Sequence, residues 1–232
     1  MQKQYLFKKT IRLLFCLGMV VLNSCGDENF WDIKTATVSD DINGVVINGV
    51  RWATRNVGAP GTFAARPENH GMFYQWNRKI GWSSKDRGII GSNGVTEWDS
   101  SIPTGATWEK SNDPSPTGWR LPTTDEIQKL LDSEKVKSEA IYLNGIEGSK
   151  FTDKTTGNTL FLPYACILND NTLSNGFISG TGAYWSSEQG TSTDDAYSMY
   201  LGTENRPHSF PQTLELRRQS RIWGCSIRPV AE

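Results

Sequence analysis

Apolar residues in this chain seldom recur at spacings of three and four, and Gly, Asn, Asp, Ser and Pro interrupt the apolar runs every few residues. A packed helix needs an apolar stripe at that spacing, so helices can account for little of the fold. Short strands joined by frequent turns remain. Nine Trp and 22 Gly support that reading, since bulky aromatics can fill a core that lacks long apolar segments.

The pattern yields specific elements. Residues 45–47 and 50–53 (VVI and VRWA) flank Asn48-Gly49, the dipeptide of a tight hairpin turn. Residues 123–134 are the clearest helix. Thr123 or Thr124 can cap it, Asp125 and Glu126 occupy its first turn, and Ile127, Leu130 and Leu131 make an apolar stripe. After it come candidate strands at 140–143, 160–162, 183–186, 196–201 and 222–230, with turn signals at Asn144-Gly145 and Thr156-Gly157-Asn158. Residues 81–117 form a long irregular stretch, the kind of segment that tends to carry function or disorder.

The first 25 residues read differently. Lys3, Lys8, Lys9 and Arg12 precede an apolar run at 13–22, too short to span a bilayer, and small residues follow. Leu22-Asn23-Ser24-Cys25 resembles the lipobox of bacterial lipoproteins. That resemblance implies cleavage between Ser24 and Cys25 and lipid on the Cys25 thiol. Two or three acyl chains hold a protein firmly on a membrane, where one does so only marginally. The expected organisation is a signal peptide at 1–24, an acidic flexible tether at 25–42, and one domain at 43–232. Asp27 and Glu28 just after the cysteine resemble a surface-export signal of Bacteroidetes lipoproteins. The expected location is therefore the outer membrane, lipid-anchored, on the cell surface, with the periplasmic face as the alternative.

Losing the four basic residues of the leader moves the formal net charge from −1 to about −5. No basic block remains to neutralise phosphates, which argues against nucleic acid as a partner. Cys166 and Cys225 are the cysteines left in the domain. An exported chain can join such a pair in a disulfide, and two buried free thiols are the other reading. No Cys/His cluster suggests a metal, and no cofactor motif is present. His70 and His208 each stand alone and give no catalytic constellation to build on, while the scattered Asp and Glu leave paired carboxylates open.

Several ordered stretches are recognisable together: VRWATRNVGAP (50–60), HGMFYQWNR (70–78), PTGWRLPTTDEIQKLL (116–131), GAYWSSE (182–188) and GCSIRPV (224–230). In this order they resemble the Fibrobacter succinogenes major paralogous domain family of Bacteroidetes lipoproteins. That family is similar in fold to C-type lectin-like domains and to the formylglycine-generating enzymes. The resemblance implies an α+β, C-type lectin-like fold: a small twisted antiparallel sheet, two helices, long loops, and pairing of the N- and C-terminal strands, here 50–53 with 226–230. The second helix would lie near 70–79. Neither cysteine has the setting of the formylglycine-generating motif, and the calcium-lectin tripeptides are missing.

Trp119 and Trp185, on the defining motifs, read as core aromatics, with sugar stacking as the other reading; Arg120 and Arg228 read as arginines paired with acids such as Glu126, with an anionic ligand as the other reading. Trp82, Trp98 and Trp108 lie in the irregular segment without a packing period, which makes them the candidate ligand-binding residues on an exposed surface. Asp86, Glu97 and Asp99 lack the spacing of a calcium loop. The expectation is a membrane-anchored binding or adhesion module for a glycan or protein ligand, with a fimbria-associated subunit as one version. A formylglycine-generating-type enzyme and a purely structural envelope lipoprotein are the alternatives.

Overall fold

Asn48 and Gly49 turn the chain with φ of 44° and 78°, the positive values that a tight hairpin turn requires at both central residues. They join strands β1 (Val45–Ile47) and β2 (Val50–Trp52), and the alternation places Val45, Ile47, Val50 and Trp52 in the core. The structure is a computed structural model that describes residues 38–85, 88–168, 181–203 and 212–232. These belong to one compact unit, Lys34–Glu232. Ser24, Cys25, most of the expected tether, Asp86 and His208 lie outside the described residues.

Strands β3 (Phe73–Tyr74), β4 (Gly81–Lys85) and β5 (Gly88–Gly91) follow, and then β6 (Trp119–Arg120) and the helix α1 (Thr124–Leu131). Next come β7 (Val136–Leu143), β8 (Ile146–Asp153) and β9 (Thr159–Pro163). The chain continues through β10 (Thr181–Gln189), β11 (Asp195–Thr203), β12 (Gln212–Ser220) and β13 (Val230–Ala231). They make four small sheets, ordered β1-β2-β13-β6, β3-β4-β5, β7-β8-β9 and β10-β11-β12, with antiparallel strand pairs. The last strand, β13, lies beside β2 of the N-terminal hairpin, with Val230 opposite Trp52.

This corrects the expected architecture. The protein is a strand-dominated assembly of four sheets with a single short α-helix among the described residues, in place of a two-helix α+β lectin-like fold around one sheet. The reason is clearest at 70–79, where a second helix was expected. Phe73, Tyr74, Gln75 and Trp76 are all buried in succession, which a surface helix cannot achieve because it turns one face to solvent. Their backbone reaches outward instead: the Tyr74 N–H donates to the Cys225 carbonyl at 2.8 Å and the Trp76 N–H to Arg221 at 3.0 Å. Asn77 then reverses the chain at a φ of 53°.

The stretch 222–230 is also not one continuous strand. Cys225 to Arg228 are wholly buried, and successive residues bond different neighbours. The Ser226 N–H donates to Ala183, while the Ile227 and Pro229 carbonyls accept from Val57 and Ala53. This seam links the strands of three sheets through backbone groups that would be expensive to bury unpaired. Helix α1 ends at Leu131, short of the expected Glu134, with Ile127 and Leu130 facing the main core beside Trp52, Phe151, Tyr184 and Met199. No described helix is long and apolar enough to cross a membrane.

Candidate functional site

A groove of about 520 Å³ runs along the 116–121 segment and is walled on its other side by Thr107, Trp108 and Lys110. Local sequence builds it. The Asp113 carboxylate accepts from the Ser115 N–H at 2.8 Å and from the Leu121 N–H at 3.3 Å, tying the loop across its own base. The Trp119 N–H donates to the Pro116 carbonyl at 3.0 Å, closing a turn that Gly118 enters with a φ of 83°. Trp119 is half-buried, and its ring meets Phe63 edge-on at 5.6 Å and 83°.

The charges at the groove are paired. Arg120 donates from both terminal nitrogens to Glu126, at 2.8 and 2.7 Å, and again to the Leu121 carbonyl at 3.0 Å. The hydrogen bond to Glu126 raises the Arg120 pKa. Burial alone would raise that of Glu126, but Arg120 and the Thr123 N–H outweigh it and hold the carboxyl below its usual range. Lys110 lies 3.2 Å from Glu232 in an exposed pair. Trp108 Nε1 and Ser115 Oγ, buried atoms of two residues that line the groove, have no hydrogen-bond partner among the described residues.

The tryptophans expected on an exposed surface are buried. Trp82 is 1 % exposed, Trp98 9 % and Trp108 8 %. Trp82 and Trp98 pack on each other at 4.9 Å, within a small core completed by Phe73, Ile89 and Leu168. Trp108 belongs to a different core, set against Trp76 at 5.8 Å, and also contributes to the groove lining. The reason is that short strands and loops bury aromatics at irregular intervals, so a missing packing period does not imply exposure. Trp185 is core, and its Nε1–H donates to the Tyr74 carbonyl at 2.6 Å. Trp119, read from sequence as core, is the aromatic that the groove leaves half open; Gly118 beside it was the available signal.

Cys166 and Cys225 are free thiols, not a disulfide. Each sits in a separate bridge, Cys166 opposite Gly182 and Cys225 opposite Tyr74. Burial raises both thiol pKa values, that of Cys225 strongly, which suppresses the nucleophilic thiolate. Arg228 is fully buried and donates to Asn56 Oδ1 at 2.8 Å and the Ala53 carbonyl at 3.1 Å, rather than to an acid. Asp99 pairs with Arg78 at 2.5 Å and accepts from Ser101, while Glu97 is exposed. His70 has its pKa lowered by burial, and its carbonyl accepts from Asn56 and Ser226. Among the described residues no three His, Cys, Asp or Glu side chains are grouped to hold a metal ion.

The groove thus offers an aromatic rim, hydroxyls and internally paired charges, the equipment for holding a ligand. The chain matches no protein-family model, no curated protein and no solved structure.

Proposed function

We propose that this chain is a lipid-anchored binding module of the bacterial cell surface that holds a glycan or protein ligand in the groove beside Trp119. One observation carries the binding half: a groove of about 520 Å³ with a half-buried indole at its rim. Pockets of that size, lined by aromatic and apolar groups with a few fixed polar ones, are the usual form of a ligand site. The anchoring half draws on the sequence alone: the basic head, the apolar run, Leu22 to Cys25, and the acidic residues after them. Adhesion, alone or as a subunit of a surface fibre, is the role such a module would serve.

The test has two arms. Cells expressing the full chain are labelled with palmitate, with and without globomycin, and intact cells are treated with protease. Label on the wild type, its loss in Cys25→Ala, and cleavage at the surface are the expected results. Normal processing and retention of Cys25→Ala would sink the anchor. In the second arm the solubilised lipoprotein is passed over glycan and protein arrays beside Thr117→Arg, which fills the groove from an exposed position. Selective capture lost in the variant is expected, and capture that is indifferent to it overturns the groove.

A further inference from the structure

We infer that the ligand of this groove is an uncharged carbohydrate whose ring lies against the Trp119 indole; the inference rests on the groove being the binding site.

Charge makes the first argument. The ionised side chains of the lining are Lys110 and Arg120 against Asp113 and Glu232, which cancel. The two best held are already committed, Arg120 to Glu126 through both nitrogens and Asp113 to two backbone N–H groups. An anionic or cationic guest would find no matching excess charge and would have to break one of these arrangements. A neutral guest need not.

The backbone makes the second. Strand β6 is the outer strand of its sheet, and outer strands commonly recruit extended peptides by adding a strand. Here that route is closed. Arg120 pairs with Val230 on the inner side. The flanking N–H groups are both used, Trp119 on Pro116 and Leu121 on Asp113. A peptide laid along β6 would find neither donor free.

What the groove does present is a flat, half-buried indole steadied by Phe63, with the hydroxyl residues Thr107, Thr117 and Ser187 around it. A sugar ring has the complementary form: a face of C–H groups for the indole and a rim of hydroxyls for the polar lining. The volume of about 520 Å³ suits a short oligosaccharide segment.

The experiment uses the solubilised full chain on three immobilised sets: neutral polysaccharides (starch, mixed-linkage glucan, galactomannan), acidic ones (polygalacturonate, hyaluronate) and a peptide library. Titration with oligosaccharides of the best neutral hit follows. Expected is capture from the neutral set that persists at high salt. Affinity should weaken at least about tenfold in Trp119→Ala and Thr117→Arg, and less in Trp119→Phe, which keeps a flat ring. Thermal melts check folding, and Thr117→Arg guards against collapse of Trp119→Ala because Thr117 is exposed. Capture only from the acidic or peptide set, lost in Thr117→Arg, overturns the neutral sugar and leaves the groove standing. No capture from any set, or capture that survives Thr117→Arg, overturns both.

Discussion

Arg120 holds Glu126 through two parallel hydrogen bonds, Nη1 to Oε2 at 2.8 Å and Nη2 to Oε1 at 2.7 Å. The same carboxylate accepts from the Thr123 N–H at 2.8 Å, while the Thr123 hydroxyl accepts from the Glu126 N–H, a complete capping box. One side chain therefore starts the only α-helix among the described residues and fixes the strand that carries Trp119.

Glu126→Gln should consequently lower stability by about 1–2 kcal/mol, most of it from the weakened cap and the lost charge-assisted bonds. The share of the ion pair itself is small because Arg120 is 38 % exposed and the pair is partly screened. The pH dependence follows from the sign of the shift. The folded-state pKa of Glu126 is depressed, so its contribution is complete above the unfolded value and is lost as pH falls through the lower folded value. Thermal melts across the acid range should show the gap between wild type and Glu126→Gln closing as pH drops. A gap that stays constant into acid would contradict the pairing.

Tyr184 and Arg228 make opposite contributions in alkali. Burial raises the Tyr184 pKa to about 12, and its hydroxyl donates to the Pro163 carbonyl at 2.5 Å. Its stabilisation is whole below the unfolded value near 10 and disappears as pH climbs through the folded one. Burial lowers the Arg228 pKa to about 10, partly offset by Tyr184. The cost of that buried charge is present below the folded value and is relieved above it. Tyr184→Phe removes the first effect and keeps the second. Denaturant unfolding between about pH 9 and 11 should therefore fall less steeply for the variant than for wild type. An equal or steeper fall would refute these burial-driven shifts.

The two domain thiols should behave as separate buried groups. Cys225 is inaccessible and Cys166 is half-buried, and burial raises both pKa values. Thiol titration of the native protein at neutral pH should modify Cys166 slowly and Cys225 only on unfolding, and reduction should leave the melting temperature unchanged. A large drop in melting temperature on reduction would mean that the thiols are bonded.

Those elements whose cause is local were legible in the sequence. The α1 helix announces itself through Thr123, Asp125, Glu126 and the Ile127–Leu130 spacing, and the first hairpin through Asn48-Gly49. The strands predicted at 140–143, 160–162, 183–186 and 196–201 all fall inside observed strands. What failed depended on long-range partners. Phe73–Tyr74 form a strand and Trp76 a turn because Cys225 and Arg221 accept the Tyr74 and Trp76 N–H groups, and nothing near residue 73 reveals partners some 150 positions away. Four sheets in place of one arise the same way. At the site, the motif that contains Trp119 was visible, but its half exposure is decided by the Asp113-tied loop and not by its neighbours in sequence.

Trp82 and Trp98 provide the sharpest contrast with the groove. Their rings lie 4.9 Å apart and tilted at 46°, inside the small core that also holds Phe73, Ile89 and Leu168, and neither lines the groove. Truncating either to Ala removes a large buried ring, so each should cost about 3–5 kcal/mol. Because the two rings touch, the double variant should cost less than the sum, by roughly 0.5–1.5 kcal/mol. Trp98→Phe keeps much of the buried ring and should stay folded, so ligand capture can be compared with Trp119→Phe at matched stability. Core packing predicts that Trp98→Phe lowers the melting temperature and leaves capture intact, whereas Trp119→Phe weakens capture more than it lowers stability. If Trp98→Phe abolished capture while melting like wild type, the ligand would sit on the side of the fold that carries residues 82–98 and not beside Trp119.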